Sequence, residues 1–587
     1  MRSSPLSIAL VSIAVLSAWC VGILGRGLWT PDEPREADLA WRMSWQSERA
    51  VPLLAGEPFC EKPPLTYWVA AAAIRLFGSG AWSARLPNLL YALVTAVGVG
   101  WLARRAAGPV AGLIAAAAIG TFLLSYQVVI WLATDAPLLA STAVALAGAY
   151  EGLYARSRWR RLGAYTVMHL ALALGFLSKS AAAWIVPALA LLTMVIWERR
   201  ARELCRWELY PGLGVQALVI LIWIWFVYAG ADGPEHLRVF LWNNLAGRFV
   251  HLDAPQELQY AAAHRNSPGK YFLELPVYLW PWTLLVAAAL RRAWLRRRAG
   301  FEELRPVRFA LASALPALAL LSVAATARNI YLAPALPGFA LLLGWWGGHT
   351  QSEFDRWDIR ALRATAALLL VAVLVLATAL ALVAADTGTP SAAGGGYGWS
   401  GAFLISGPGL IAAAALLLHG SAAARDGAPR PAQLALLLGY CLLLTAPASQ
   451  LYRRVDAWQN LAGLGRAIEW DARGKPLILM APDETTRALI DLYARTEVGL
   501  VKGPIDPRSI AELKERVAQE PQARVLVQLP GRALTPLFRR IAARLAIAQA
   551  AGSPIDEPDW APSAQLHTAR LFALPNGRRY ALLEGGR

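Results

Sequence analysis

PLSIALVSIAVLSAWCVGILG, residues 5–25, carries no charge from Pro5 to Gly25 and is long enough to cross a bilayer, which takes about 20 apolar residues. Comparable runs recur at 82–103, 109–129, 133–154, 162–178, 181–197, 211–230, 271–290, 308–325, 329–348, 363–385, 401–420 and 431–450. They predict an all-α polytopic membrane protein of about thirteen transmembrane helices. Composition agrees: of 587 residues 57% are hydrophobic and 16% charged, with mean hydropathy +0.42, whereas a soluble domain carries about 25% charged residues. The first run is long, and Leu24, Gly25 and Arg26 make a poor small-residue cleavage site, so it is expected to remain as a helix rather than leave as a signal peptide.

A net charge of +17 gathered in one patch would suit nucleic acid, but here the arginines fall in alternate loops. They sit at Arg104 and Arg105 and within 156–161, 199–206, 291–308, 356–363 and 425–430. By the positive-inside rule these loops are cytoplasmic, and so is the N-terminus. An odd number of spans then sends the C-terminus to the outer, periplasmic side. The basic excess encodes orientation in an inner membrane, and no nucleic-acid partner is expected. Cys20, Cys60, Cys205 and Cys441 are scattered and form no C-x-x-C, so a disulfide framework is not expected.

Residues 1–452 read as the membrane domain, with outer loops at 26–81 and 231–270. From 453 to 587 the texture changes to a small extracytoplasmic α/β domain. Runs 476–481, 523–529, 569–574 and 579–584 read as buried strands, and 484–495, 508–520 and 534–546 as helices of period 3.6. The segment 386–400, with Gly394, Gly395 and Gly396, lacks the Lys-Ser/Thr of a phosphate loop.

The chemistry concentrates in TPDEPREADLAWRMSWQSERAVPLLAGEPFCEKPP, residues 30–64, directly after the first span. Thr30 and Glu33 have capping-box spacing, with Pro31 between them at the first helical position. The helix they open carries Ala37, Trp41 and Trp45 on one stripe and charges elsewhere, the pattern of an amphipathic helix in the membrane interface. Asp32 lies where a carboxylate beside a transmembrane helix is costly unless used. Pro63 and Pro64 hold Glu61 and Lys62 in a fixed turn. Asp135 opens the fourth span, Lys179 lies in an outer turn against the positive-inside trend, and Arg328, Asn329 and Tyr331 share another outer turn. The 231–270 loop adds Asn244, Arg248, His264 and Lys270. Each has a bland reading as cap, snorkelling cation or structural histidine. Their shared side of the membrane, fixed independently by arginines elsewhere, favours a site for an anionic lipid phosphate.

P-D-E-x-R at 31–35, V-P-x-L-x-G-x-P-x-x-E-K-P-P at 51–64 and A-R-L-P at 84–87 resemble the lipid-linked-sugar glycosyltransferases. These form the aminoarabinose (lipid A) transferase and protein O-mannosyltransferase superfamily, with the GT-C fold. T-D-A-P at 134–137, Ser178 and Lys179, Arg248 and Phe249, H-R-x-S-P at 264–268, Pro281 and Trp282, and Y-L-x-P at 331–334 follow in the same order. The resemblance covers about 1–350 and implies an outer active site that takes a sugar from a polyprenyl (undecaprenyl) phosphate donor. The acceptor would be lipid A, another glycolipid or protein.

By resemblance Asp32 is the catalytic or acceptor-positioning carboxylate and Asp135 a second acid of the site. Arg35, Lys62, Lys179, Arg248, Arg328 and Tyr331 line the donor phosphate, Glu61 is a metal or positioning acid, and His264 is the other candidate for a divalent metal, no cofactor being required outright. Glu36 departs from the pattern, standing where many members have Tyr. Ser180 and Ala181 replace the usual Gly-Pro, and Asn243 and Asn244 stand without the histidine some members carry there. A lipid phosphate is already a good leaving group, so cations rather than a general acid are what the reaction needs, and direct displacement inverts the anomeric carbon. A flippase or transporter of lipid-linked saccharides would want its charges near the bilayer midplane. A ligase of such saccharides is the enzymatic alternative.

Overall fold

The computed structural model describes residues 5–245, 267–324, 328–385, 399–529 and 558–585, except positions 48, 299, 301, 473, 495–497 and 575–577. All thirteen predicted spans coincide with helix. Among the described residues nine helices are long and apolar enough to cross a membrane, or eleven if two bent pairs each count as one span. The expected thirteen is therefore reached only in part. Ala182–Trp197, with 16 residues, falls short, and Asp135–Tyr154 carries two acids and is outside the nine.

The bends have a physical cause. Pro109–Thr121 and Leu123–Ile130 meet at 63°, and Lys270–Tyr278 and Thr283–Leu295 at 109°. A broken helix frees backbone groups that lipid cannot satisfy. Here the two breaks are joined: the freed amide Leu123 N donates to Trp280 O at 2.8 Å, and the side-chain Nε1 of Trp282 donates to Thr121 Oγ1 at 2.9 Å. The expected spans at 109–129 and 271–290 are thus each built as a bent pair of helices.

Leu336–His349 lies at the centre of the bundle with nearly every side chain buried. Close approach there depends on small residues, since a Cβ on Gly344 would stand 2.5 Å from Ala111 O. The helix Asp135–Tyr154 separates two polar ends by about 30 Å. At the Tyr154 end the arginines of the basic loops find acids: Arg105 and Arg160 pair with Glu151, Arg308 with Glu198, Arg291 with Asp355 and Arg292 with Asp358. At the Asp135 end lies the segment 30–64.

The C-terminal part forms a five-stranded sheet of order Val498–Val501, Leu477–Met480, Arg524–Leu529, Arg579–Gly585, Leu566–Ala573. The first three strands are parallel, Arg579–Gly585 runs antiparallel to them, and the edge strand Leu566–Ala573, antiparallel to Arg579–Gly585, has the direction of the first three. Four strands match the expected runs, Val498–Val501 is additional, and the expected helix at 534–546 lies outside the described residues.

Candidate active site

The chain after the first span turns into a helix at Asp32–Trp45, the site helix. No capping box forms. Thr30 Oγ1 instead bonds Gln459, and Glu33 turns into the protein. Its fully buried carboxylate takes Trp29 N at 2.7 Å, Leu132 N at 2.8 Å and both Arg26 nitrogens at 2.5 and 2.9 Å. Arg85 of the A-R-L-P motif approaches it at 3.3 Å and donates to Gly27 O and Ile23 O. Burying these charges is tolerable because every strong donor has an acceptor. Glu33 and Arg85 therefore fasten the site helix to the bundle.

Asp32, 8% exposed, faces the other way. Arg328 Nη2 donates to its Oδ2, and Arg35 Nη2 stands 3.4 Å from Oδ1. Arg35 also donates to Glu36 Oε1 at 2.8 Å, and Glu36 accepts from Lys62 Nζ at 2.6 Å and Tyr67 OH at 2.9 Å. Asp32 and Lys62, from separate parts of 30–64, are thus joined through Arg35 and Glu36. Lys179 Nζ donates to Asp135 Oδ1 at 2.5 Å and lies 5.1 Å from the centre of the Tyr331 ring. Tyr331 N bonds Arg328 O at 3.0 Å, so both clusters meet at the turn 328–331. Beside that turn a cavity of about 530 Å³ is lined by Lys270, Glu274, Val277, Tyr278, Arg328 and Asn329.

Charge governs protonation here. Burial raises the Asp32 carboxyl, but Arg35, Arg328 and Lys62 outweigh it and hold the group below its ordinary value. Burial likewise opposes ionisation of Glu36, yet Lys62 and Arg35 bring it down to about 2. Burial disfavours the charge on Arg35, and Glu36, Glu484, Asp32 and Glu61 more than restore it. At pH 7 the cluster is a network of ionised groups, not a shared-proton site.

Of the residues named from sequence, Asp32, Arg35, Lys62, Asp135, Lys179, Arg328 and Tyr331 come together. Glu61 lies next to them: Asn244 Nδ2 donates to its carbonyl, and its charge is felt at Arg35. Arg248 and His264 lie outside the described residues. Among the described residues no three His, Cys, Asp or Glu side chains gather as metal ligands, so no step is assigned to a metal through Glu61.

Sequence reasoning missed Glu36 as a site residue, although Asp32, Arg35 and Glu36 have the i, i+3, i+4 spacing of one helical face. It also missed Glu484. The first residue of helix Glu484–Tyr493 in the C-terminal domain, it accepts from Arg35 Nη1 at 2.5 Å. The site helix is not an open interfacial helix. It packs between Leu65–Phe77 and Glu484–Tyr493: Arg35 and Arg42 meet Glu484 and Asp491, and the buried Glu36 and Asp38 accept from Lys62, Tyr67 and Arg35 and from Ala55 N.

The family description dolichyl-phosphate-mannose-protein mannosyltransferase matches residues 61–225. The undecaprenyl phosphate-alpha-4-amino-4-deoxy-L-arabinose arabinosyl transferase of Pseudomonas aeruginosa (strain LESB58) is 30% identical over 338 residues, 57% of this chain and 58% of that protein. Its namesake from Yersinia enterocolitica is 27% identical over 369 residues, 62% of each chain. The match thus spans about three fifths of these relatives' length. In fold, the crystal structure of ArnT from Cupriavidus metallidurans bound to undecaprenyl phosphate aligns with TM-score 0.70 at 18% identity, covering 99% of this chain and 98% of the other.

Proposed function

We propose, for a polytopic membrane chain that is ArnT-like in sequence and GT-C in fold, the activity of a polyprenyl-phosphate-dependent glycosyltransferase. It moves a hexosyl or pentosyl group from an undecaprenyl-phosphate-linked donor to lipid A, another glycolipid or a protein. Reaction takes place at the outer membrane surface, with the C-terminal domain on the same side. The observation that carries this reading is the junction of Asp32, Arg35, Glu36, Lys62 and Arg328 at the end of the bundle away from the arginine-rich loops.

Lys62, Lys179 and Arg328 keep N–H groups beyond those spent on carboxylates, since an ammonium has three donors and a guanidinium five. They stabilise the charge that grows on the departing phosphate. Asp32, held below its ordinary pKa, is a weak base in the resting protein and serves first to orient the acceptor. A donor phosphate that engages Arg328 competes with Asp32 for the guanidinium, and the carboxylate then regains basicity as the acceptor arrives. Attack from the face opposite the phosphate inverts the anomeric centre.

The test is Asp32→Asn in proteoliposomes supplied with undecaprenyl-phosphate-linked aminoarabinose and lipid A. Transfer should fall by about 10²–10⁴-fold while undecaprenyl phosphate still binds. Undiminished transfer would remove Asp32 from the mechanism, and movement of lipid without product in the wild type would favour a flippase.

A further inference from the structure

We infer that the C-terminal domain completes this active site, with Glu484 acting as a positioning residue that holds the Arg35 guanidinium between Asp32 and Glu36. The inference rests on the function proposed above. Its ground is a register between two helices. Arg35 Nη1 meets Glu484 Oε2 at 2.5 Å, and Arg42 Nε meets Asp491 Oδ2 at 2.6 Å, both across 449 positions of sequence. The steps 35 to 42 and 484 to 491 are equal and cover about two helical turns, so the helices lie alongside in parallel alignment. A third bond fixes the end: Thr485 Oγ1 donates to Pro31 O at 2.9 Å, on the residue before Asp32.

Arg35 is where this docking reaches the chemistry. Its Nη2 serves Asp32 and Glu36, its Nη1 serves Glu484, and its buried Nε has no hydrogen-bond partner among the described residues. With Glu484 gone, only the bond to Glu36 at 2.8 Å and the charge of Glu61 remain to hold the guanidinium back from the Asp32 carboxylate. That swing ties up the lone pairs the acceptor needs. Glu484 does not itself line the cavity at Arg328 and need not touch either substrate.

The experiment compares wild type, Glu484→Ala, Glu484→Gln and Lys502→Met as full-length protein in proteoliposomes. The donor is undecaprenyl-phosphate-linked aminoarabinose, and undecaprenyl phosphate binding is read in parallel. Lys502 pairs with Glu57 at 2.7 Å on an exposed part of the same domain contact and controls for docking. Glu484→Ala should lower kcat about tenfold with donor KM within about twofold, Glu484→Gln should recover part of the loss by keeping an acceptor, and Lys502→Met should be unchanged. Full kcat in Glu484→Ala, or equal losses in Glu484→Ala and Lys502→Met, overturns the positioning role while leaving the glycosyltransferase reading intact. A folded wild type that neither binds undecaprenyl phosphate nor transfers overturns that reading, and the inference with it.

Discussion

Asp32 and Glu33 are neighbours of nearly the same chemistry with opposite assignments. Glu33 points into the bundle, where Arg26, Arg85 and two backbone amides enclose it. Removing one partner of such a buried cluster leaves charge unpaired, so Glu33→Ala should cost about 3–5 kcal/mol and depress the melting temperature strongly. Asp32→Asn should leave it nearly unchanged, and equal melting losses would refute the division. Glu36 gives a pH signature. Its carboxyl titrates near 2 in the folded chain against an ordinary 4.5, so its contribution, about 3 kcal/mol, is present above pH 4.5 and lost as pH falls through 2. Glu36→Gln should flatten the acid limb of the melting profile, and an identical limb would show that the ion pairs to Lys62 and Arg35 carry no stability. Asp32, Lys62 and Asp135 were legible because they sit in motifs with fixed spacing. Glu36 was visible only as a departure, because what joins it to the cluster is Lys62, which lies 26 positions away.

At the scale of elements, apolar run length located the helices but could not show where they break. The breaks near Phe122 and at 279–282 are joined by a backbone bond from Leu123 N to Trp280 O and a side-chain bond from Trp282 to Thr121, a long-range fact with no local trace beyond Pro281. The site helix was legible as amphipathic, and the cover on its polar face was not, since that cover comes from 449 residues downstream. Helix contacts in the bundle interior rest on small residues. Gly344→Ala should destabilise by about 1–3 kcal/mol, because the added methyl meets the backbone oxygen of Ala111, which cannot rotate away. Unfolding in detergent measures this, and a neutral result would mean the two helices part without cost.

For the whole molecule, arginine distribution and the position of 30–64 were enough to anticipate a helical bundle with a cluster of charged side chains at one end. The contacts of the C-terminal domain with the site helix were hidden, because its strands and helices carry no catalytic signature of their own. Its contacts with the site segment are several: Glu484 to Arg35, Asp491 to Arg42, Asp456 to Gly27 N and Trp29 Nε1, and Gln459 to Thr30. Chains ending at 452 should insert into membranes yet lose transfer, and retained transfer would reduce the domain to an appendage. The central claim is that acids and bases from distant loops form one pocket for an isoprenoid phosphate. Its most direct test is an experimental structure of the full chain in a lipid nanodisc with undecaprenyl phosphate. The account predicts the phosphate within hydrogen-bonding reach of Lys62 and Arg328, next to Asp32. A phosphate seated among the arginines at the Glu151 and Glu198 end would contradict it.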